Sequence, residues 1–248
     1  MLSALLLVTA CWLGGGMEAT YDLDEYEFNA VEISTGSGYI DITAGNDLEL
    51  EAEFHNTEDE AMLRKELIGD VLVITSDCAT QLCSIDLDLV IPAGVEVIAR
   101  TASGDIDVQE MEGGAFLETA DGMVSVIDLE GGLDVITVGG DVDLLDIDCD
   151  VQVTTVDGSV DGSDMALDFL AVSSTNGKVM LDLKQAPQEV VIDTISSGID
   201  LTVPVDEYDL TLESLSGTVS TYNLDDSDGA ARIITAHSTS GSISVTGD

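Results

Sequence analysis

Thr101-Ala102-Ser103-Gly104-Asp105-Ile106-Asp107-Val108 is followed eighteen residues on by Thr119-Ala120-Asp121-Gly122-Met123-Val124-Ser125-Val126. Thr137-Val138-Gly139-Gly140-Asp141-Val142-Asp143-Leu144 and Thr155-Val156-Asp157-Gly158-Ser159-Val160-Asp161-Gly162 continue the series. With the glycine as anchor, it extends to Gly177, Ser197, Gly217 and Gly241 and back to Gly38, and the intervals from Gly104 onward are 18, 18, 18, 19, 20, 20 and 24. Three residues before each anchor stands a hydroxyl: Thr35, Thr101, Thr119, Thr137, Thr155, Ser174, Thr194, Ser214 and Ser238. Five before it, and two after it, stand aliphatic residues such as Leu117, Val135, Val153, Ile106, Val124 and Val142. Self-similarity at a fixed period of this size is the mark of a repeat architecture.

Polar residues such as Asp107, Asp143 and Asp161 fill the positions between the aliphatics. Apolar and polar residues therefore alternate over four or five positions, the pattern of a short strand with one buried face. The β-branched bias agrees. Asp-Gly, Asn-Gly and Ser-Gly at the anchor are expected to supply the positive φ of a corner. A unit of this size cannot bury its apolar face alone, but stacked units can, each pairing with the next through parallel strands ~4.8 Å apart. The hydroxyl column then becomes an internal ladder, each member bonding its neighbour or nearby backbone. The expected fold is all-β: a single-domain parallel β-helix or β-solenoid with coils of 18–20 residues. A β-sandwich is the alternative, because short alternating strands fit it too.

Residues 46–96 depart from the period. Leu48–Phe54, Val71–Thr75 and Ile85–Ile91 read as strands, and Glu58–Leu67 reads as either a short helix or a hairpin arm. The 66 residues from Gly38 to Gly104 leave room for about three wide coils or a cap. The expected organisation is an export segment over 1–16, amino-terminal strands, cap and irregular coils over 17–96, and regular coils over 97–248.

Residues 2–13, LSALLLVTACWL, are apolar and too short to span a bilayer as a mature helix. They resemble the hydrophobic region of an export signal. Val8-Thr9-Ala10-Cys11 resembles a lipobox, whose cysteine becomes the lipidated first residue, and Gly14-Gly15-Gly16 reads as a tether. In an oxidising envelope, Cys78 and Cys83 are expected to close a local disulfide. They fall short of a four-ligand metal site. Cys149 is expected to be a lone thiol in a strand.

Fifty Asp and Glu face six Lys and Arg, a net charge of −44. Such a surface repels phosphate backbones, which excludes nucleic acid as a partner, and it disfavours anionic lipid headgroups. Self-repulsion of this size fits either a saline or divalent-rich setting, because salt shortens the reach of each charge, or an ordinary acidic secreted protein. Like charges on adjacent coils cost about 0.9 kcal/mol per pair even in water-like dielectric. Bound Ca²⁺ would relieve that cost, and the candidate ligands are Asp105, Asp107, Asp141, Asp143, Asp226 and Asp228, the last two in Asp225-Asp226-Ser227-Asp228-Gly229. His55 and His237 stand isolated in the sequence and are expected to be surface or half-buried side chains without a base or metal partner. Arg64, Lys65, Arg100, Lys178, Lys184 and Arg232 are scattered, so no catalytic constellation of the kind that cuts acidic glycans emerges.

Leu89-Val90-Ile91-Pro92-Ala93-Gly94-Val95, the Thr101–Val108 segment, the recurrent Thr-x-x-Gly-x-Val units, and Leu201-Thr202-Val203-Pro204 followed by Leu215-Ser216-Gly217 together resemble the bacterial "putative adhesin" family. The resemblance covers about residues 25–248. It implies an exported, often lipid-anchored β-solenoid, and it carries no catalytic residues to transfer. The expected function is that of a non-enzymatic cell-envelope protein that meets an envelope protein or glycan and touches the membrane only through its anchor. The alternatives are a Ca²⁺-dependent envelope binding protein and, behind it, a carbohydrate-active β-helix enzyme.

Overall fold

The structure is a computed structural model that describes residues 17–55, 62–77 and 83–248. The described residues form strands and turns and no helix. In chain order the strands are β1 (Met17–Asp22), β2 (Ala30–Thr35), β3 (Ile40–Ala44), β4 (Glu49–His55), β5 (Met62–Ile68), β6 (Val71–Asp77), β7 (Ser84–Ile91), β8 (Glu96–Thr101), β9 (Ile106–Met111), β10 (Ala115–Thr119), β11 (Val124–Leu129) and β12 (Leu133–Thr137). They continue with β13 (Val142–Ile147), β14 (Val151–Thr155), β15 (Val160–Met165), β16 (Phe169–Ser174), β17 (Val179–Leu183), β18 (Glu189–Thr194), β19 (Ile199–Val203), β20 (Glu207–Ser214), β21 (Val219–Tyr222), β22 (Asp225–Asp226), β23 (Arg232–Ser238) and β24 (Ile243–Gly247).

Two large sheets result, neither closed into a barrel. The first runs β1-β4-β7-β3-β9-β11-β13-β15-β17-β19-β24-β21 and the second β22-β20-β23-β18-β16-β14-β12-β10-β8-β2-β6-β5. From β8 to β19 the chain alternates strictly between them. Pairing is parallel except for β1·β4, β4·β7 and β5·β6. The register reproduces the sequence period: Val97, Ala115, Leu133 and Val151 lie side by side on consecutive strands, each 18 residues from the next. In the other sheet Ile106, Val124, Val142, Val160, Val179, Ile199 and Ile243 form one row, and all are fully buried. The inward residues of both sheets make one apolar core.

Register explains the glycines, and it corrects the expectation of positive φ. Among the anchors only Gly38 (φ 126°) and Gly104 (φ 158°) have φ on the positive side of the strand range. Ser197 aside, the others are glycine because the neighbouring unit's backbone occupies the Cβ position. A Cβ on Gly122 would lie 1.9 Å from the Gly104 carbonyl oxygen, one on Gly158 1.7 Å from that of Gly140, and one on Gly177 1.6 Å from that of Gly158. The left-handed residues are found instead at the opposite corner. Glu110, Asp128, Asp146 and Asp164 have φ of 55–59° and recur every 18 residues. Short polar side chains tolerate that conformation, which suits three of these four.

The hydroxyl column is buried from Thr35 to Thr194 and again at Ser238, but it is no ladder of hydroxyls. Every hydroxyl of the column except that of Thr101 takes the other expected form and bonds backbone at a corner. The N–H of Gly140 donates to Thr137 Oγ1 (3.1 Å), that of Gly158 to Thr155 Oγ1 (3.1 Å), and that of Gly241 to Ser238 Oγ (2.7 Å). Ser174 Oγ accepts from the Gly177 N–H (2.9 Å) and donates to the Gly177 carbonyl (3.0 Å). Thr101 Oγ1 alone in the column is buried without a partner.

Two departures from sequential stacking frame the array. The Gly38 unit (β2, β3) lies directly against the Gly104 unit (β8, β9), and the intervening chain is placed outboard, with β6 and β7 parallel to β2 and β3. There β5 is the arm of an antiparallel hairpin with β6, which removes the helical alternative over 62–67. At the other end β23 and β24 sit between β18/β19 and β20/β21, so the last unit in sequence is the penultimate layer in space. The outermost layer is correspondingly open: Leu215 is 82% and Tyr222 74% exposed.

Candidate functional site

Alternation along each strand sends every second side chain of the first sheet outward. Parallel register lines these residues up across strands. One row runs Glu51, Asp88, Asp41, Asp107, Ser125, Asp143, Asp161, Met180 and Asp200. Four carboxylates on four consecutive strands, β4, β7, β3 and β9, open it. Neighbouring strands are ~4.8 Å apart, so these acids repel one another at close range.

The basic residues do little to offset this. Arg100 bridges Glu32 (2.9 Å) and Glu118 (3.3 Å) in the other sheet. Lys184 meets Asp146 and Asp148, and Arg232 meets Asp206. Among the described residues only Lys178, against Asp200 (2.6 Å), forms an ion pair with the row, at its far end. At the crowded end neutral donors stand in. The Tyr39 hydroxyl donates to Asp107 and lies 3.4 Å from Asp41 Oδ2, and Thr43 Oγ1 donates to Asp41 Oδ1 (3.3 Å). Partial burial, then the negative charge of Asp107, pushes the Asp41 carboxyl above its ordinary range. Burial also raises Asp88, with Asp41 and Glu51 adding to it, and raises Asp143, with Asp161 adding to it. The Tyr39 phenol is raised by burial and by its bond to Asp107.

A carboxyl whose folded-state pKa exceeds its unfolded value makes the folded chain bind more protons than the unfolded one in the window between the two values. Stability therefore rises as pH falls from neutral through the folded values of Asp41, Asp88 and Asp143 toward the ordinary carboxylate range, where the unfolded chain also protonates. Asp206, lowered by its bond to Arg232, acts in the opposite sense but from a solvent-accessible surface pair. The expected result is a melting temperature at low salt that is higher near pH 5 than near pH 7.5. Asp88→Asn should raise the value at the higher pH and flatten the slope. A melting temperature that falls on mild acidification would contradict this reading.

The six aspartates proposed as Ca²⁺ ligands do not converge. Asp107 and Asp143 face outward in the row but are separated by Ser125. Asp105 and Asp141 are braces between layers, accepting the backbone N–H of Met123 and of Ser159, each at 2.7 Å. Asp226 accepts from the Leu210 N–H (3.3 Å), and Asp228 is exposed in the turn after β22. Among the described residues, three metal-ligating side chains with ligand atoms within 4.8 Å of one another occur together at Glu53, His55 and Asp86. Antiparallel register puts Asp86 of β7 opposite Glu53 of β4, with His55 two residues further along the same face. His55 Nε2 lies 2.7 Å from Asp86 Oδ2 and Nδ1 lies 3.8 Å from Glu53 Oε1. The Tyr39 backbone N–H holds the other Asp86 oxygen (2.9 Å). The histidines are thus not isolated: His237 Nδ1 also has a carboxylate, Asp193, at 3.0 Å. Neither contact has a motif spacing in the sequence.

Cys149 is a buried free thiol whose pKa burial, with Asp150 and Asp148, pushes up to about 12, which disfavours its thiolate at neutral pH. Cys83 is buried. Cys78 and Cys11 lie outside the described residues. Open depressions among the described residues include two of about 430 and 410 Å³. One is at Asp24, Ala44, Asn46 and Pro92; the other lies along the left-handed corner formed by Glu110, Asp128, Asp146 and Asp164.

No protein-family model matches the sequence, and no curated protein matches it either. Solved structures similar to the chain include the following three. A "putative cell adhesion protein" from Clostridium sporogenes ATCC 15579 shares 9% identity over 93% of this chain and 99% of its own, with a TM-score of 0.36. A "putative adhesin" from Bacteroides fragilis NCTC 9343 shares 15% identity over 93% and 97%, with a TM-score of 0.43. Another from Parabacteroides merdae ATCC 43184 shares 12% over 92% and 96%, with a TM-score of 0.42. Proteins given the adhesin name that the sequence resemblance suggested are therefore among its structural neighbours.

Proposed function

We propose that this chain is an exported, non-enzymatic β-solenoid that serves as an adhesion, scaffold or interaction surface of the cell envelope, carried on a lipid anchor at Cys11. The solenoid reading is supported by strands that alternate between two sheets with a register equal to the sequence repeat. The observation that carries the functional reading is the outward carboxylate row, dense over Glu51, Asp88, Asp41 and Asp107 and almost without basic partners. A flat face that raises its own carboxyl pKa values gains from any ligand that brings positive charge to it. The partner is therefore an envelope protein or glycan that bears amines or carries cations.

The test is twofold. The full chain should fractionate with membranes and the Cys11→Ser chain should not; unchanged fractionation removes the anchor. The purified chain should bind members of a panel of amine-bearing glycans and basic envelope proteins, more weakly as NaCl rises. The combined Asp41→Asn, Asp88→Asn, Asp107→Asn chain should lose that binding by tenfold or more. Binding that survives these changes places the contact elsewhere. A melting temperature raised by CaCl₂ but not by NaCl at equal ionic strength would instead favour the Ca²⁺-dependent reading.

A further inference from the structure

We propose that Glu53, His55 and Asp86 form a binding site for one divalent transition-metal ion of the zinc class on the outer face of the first sheet. The three side chains come from adjacent antiparallel strands and share one face, with two residues one step apart on β4 and the third directly across on β7. This arrangement needs no loop to close it. A zinc ion with bonds of about 2.0–2.2 Å holds tetrahedral ligand atoms roughly 3.4 Å apart. His55 meets Asp86 through Nε2 (2.7 Å) and Glu53 through Nδ1 (3.8 Å), and one ion takes only one of these nitrogens. With one ligand atom from each residue the three lie within 4.8 Å of one another, so side-chain rotation that brings both carboxylates to one ring nitrogen admits the ion.

Two further features support the assignment. The Asp86 carboxylate is oriented from behind by the Tyr39 N–H, the kind of outer contact that fixes a ligand in place. The side chains are 32–44% exposed, so an ion can reach them from solvent. The ligand set selects the ion class. An imidazole with two carboxylates suits zinc and its transition-metal neighbours, whereas Ca²⁺ takes 6–8 oxygens. Three protein ligands leave a fourth position for water or for a donor from another molecule. His237 provides the contrast: it meets Asp193, and among the described residues it is not part of a comparable group of three.

The proposal does not depend on the chain being an adhesin or scaffold, and its test is separate. The full chain is titrated with ZnCl₂ by calorimetry in excess CaCl₂, which saturates diffuse carboxylate binding. The expected result is one Zn²⁺ per chain in the micromolar range. His55→Gln should weaken it roughly tenfold or more, while His237→Gln leaves it unchanged. Glu53→Gln should also weaken it, and circular dichroism melts verify that each variant folds. Co²⁺ in place of Zn²⁺ should give visible absorption bands that vanish in His55→Gln. Wild-type affinity in both His55→Gln and Glu53→Gln, or complete displacement of Zn²⁺ by Ca²⁺, would overturn the site.

Discussion

Gly140→Ala should destabilise the chain by about 3 kcal/mol or more, while Gly132→Ala changes stability by less than about 0.5 kcal/mol. Both are glycines in the same run of repeats, and composition alone would treat them alike. Geometry separates them. A Cβ on Gly140 would lie 1.5 Å from the Gly122 carbonyl oxygen and 2.4 Å from its carbon, whereas one on Gly132 meets nothing within 4 Å. The obstruction at Gly140 is backbone, which cannot rotate aside. It is also held in place by hydrogen bonds that knit the two layers, such as Gly139 N–H to Ala120 O (2.9 Å) and Val124 N–H to Asp141 O (2.9 Å). Accommodation therefore requires prising two layers apart locally. For a chain of this length the loss corresponds to a fall in melting temperature of roughly 6–12 °C. Equal melting of the two variants would mean that the anchor glycines are not stacked on one another's carbonyls.

The same geometry explains what could be read from the repeat and what could not. Stacking imposes one chemical demand at each level, so the aliphatic column, the hydroxyl column and the glycine column are all visible in the sequence. The reason for each demand is less visible. A corner glycine selected by φ and one selected by clearance look identical as letters; only the neighbour's carbonyl distinguishes them. The hydroxyls likewise signal burial but not whether they bond one another or the corner backbone. The left-handed acids Glu110, Asp128, Asp146 and Asp164 sit six residues after successive anchors. That signal was present in the period, but it resembled one more solvated polar position in a chain already crowded with acids.

Long-range order was hidden for a different reason. Parallel register is a local condition, and any unit with the right columns can stack on any other. Nothing in the residues after Gly217 specifies that β23 and β24 lie between β19/β18 and β21/β20; the longer interval of 24 was the only trace. The crowded end of the carboxylate row was hidden similarly. Asp107 and Asp143 were legible as outward residues from alternation. Glu51 and Asp88 join them only because β4 and β7 pair antiparallel to one another and β7 lies on β3. That pairing has no period, so it also concealed the meeting of His55 with Asp86, 31 residues away.

Val142→Asp should cost about 4 kcal/mol or more and abolish the cooperative native melt, whereas Asp143→Asn, one residue on, should be neutral or mildly stabilising. Val142 is fully buried, with Val124 on one side and Val160 on the other. A carboxylate there has no cation within its row and must either lose its hydration or force the layers open. Protonation removes the charge but leaves an unpaired polar group among aliphatics. Asp143 faces the other way, beside Asp161, and its carboxyl is already raised by burial and by that neighbour, so removing its charge relieves repulsion. Because each layer is stabilised mainly by its two neighbours, the damage at Val142 spreads to both. Limited proteolysis should then cut within the layers around Val142 before the array's ends. Wild-type melting and protection in Val142→Asp would mean that this column does not lie in the core, and the stacked reading of the repeat would fall with it.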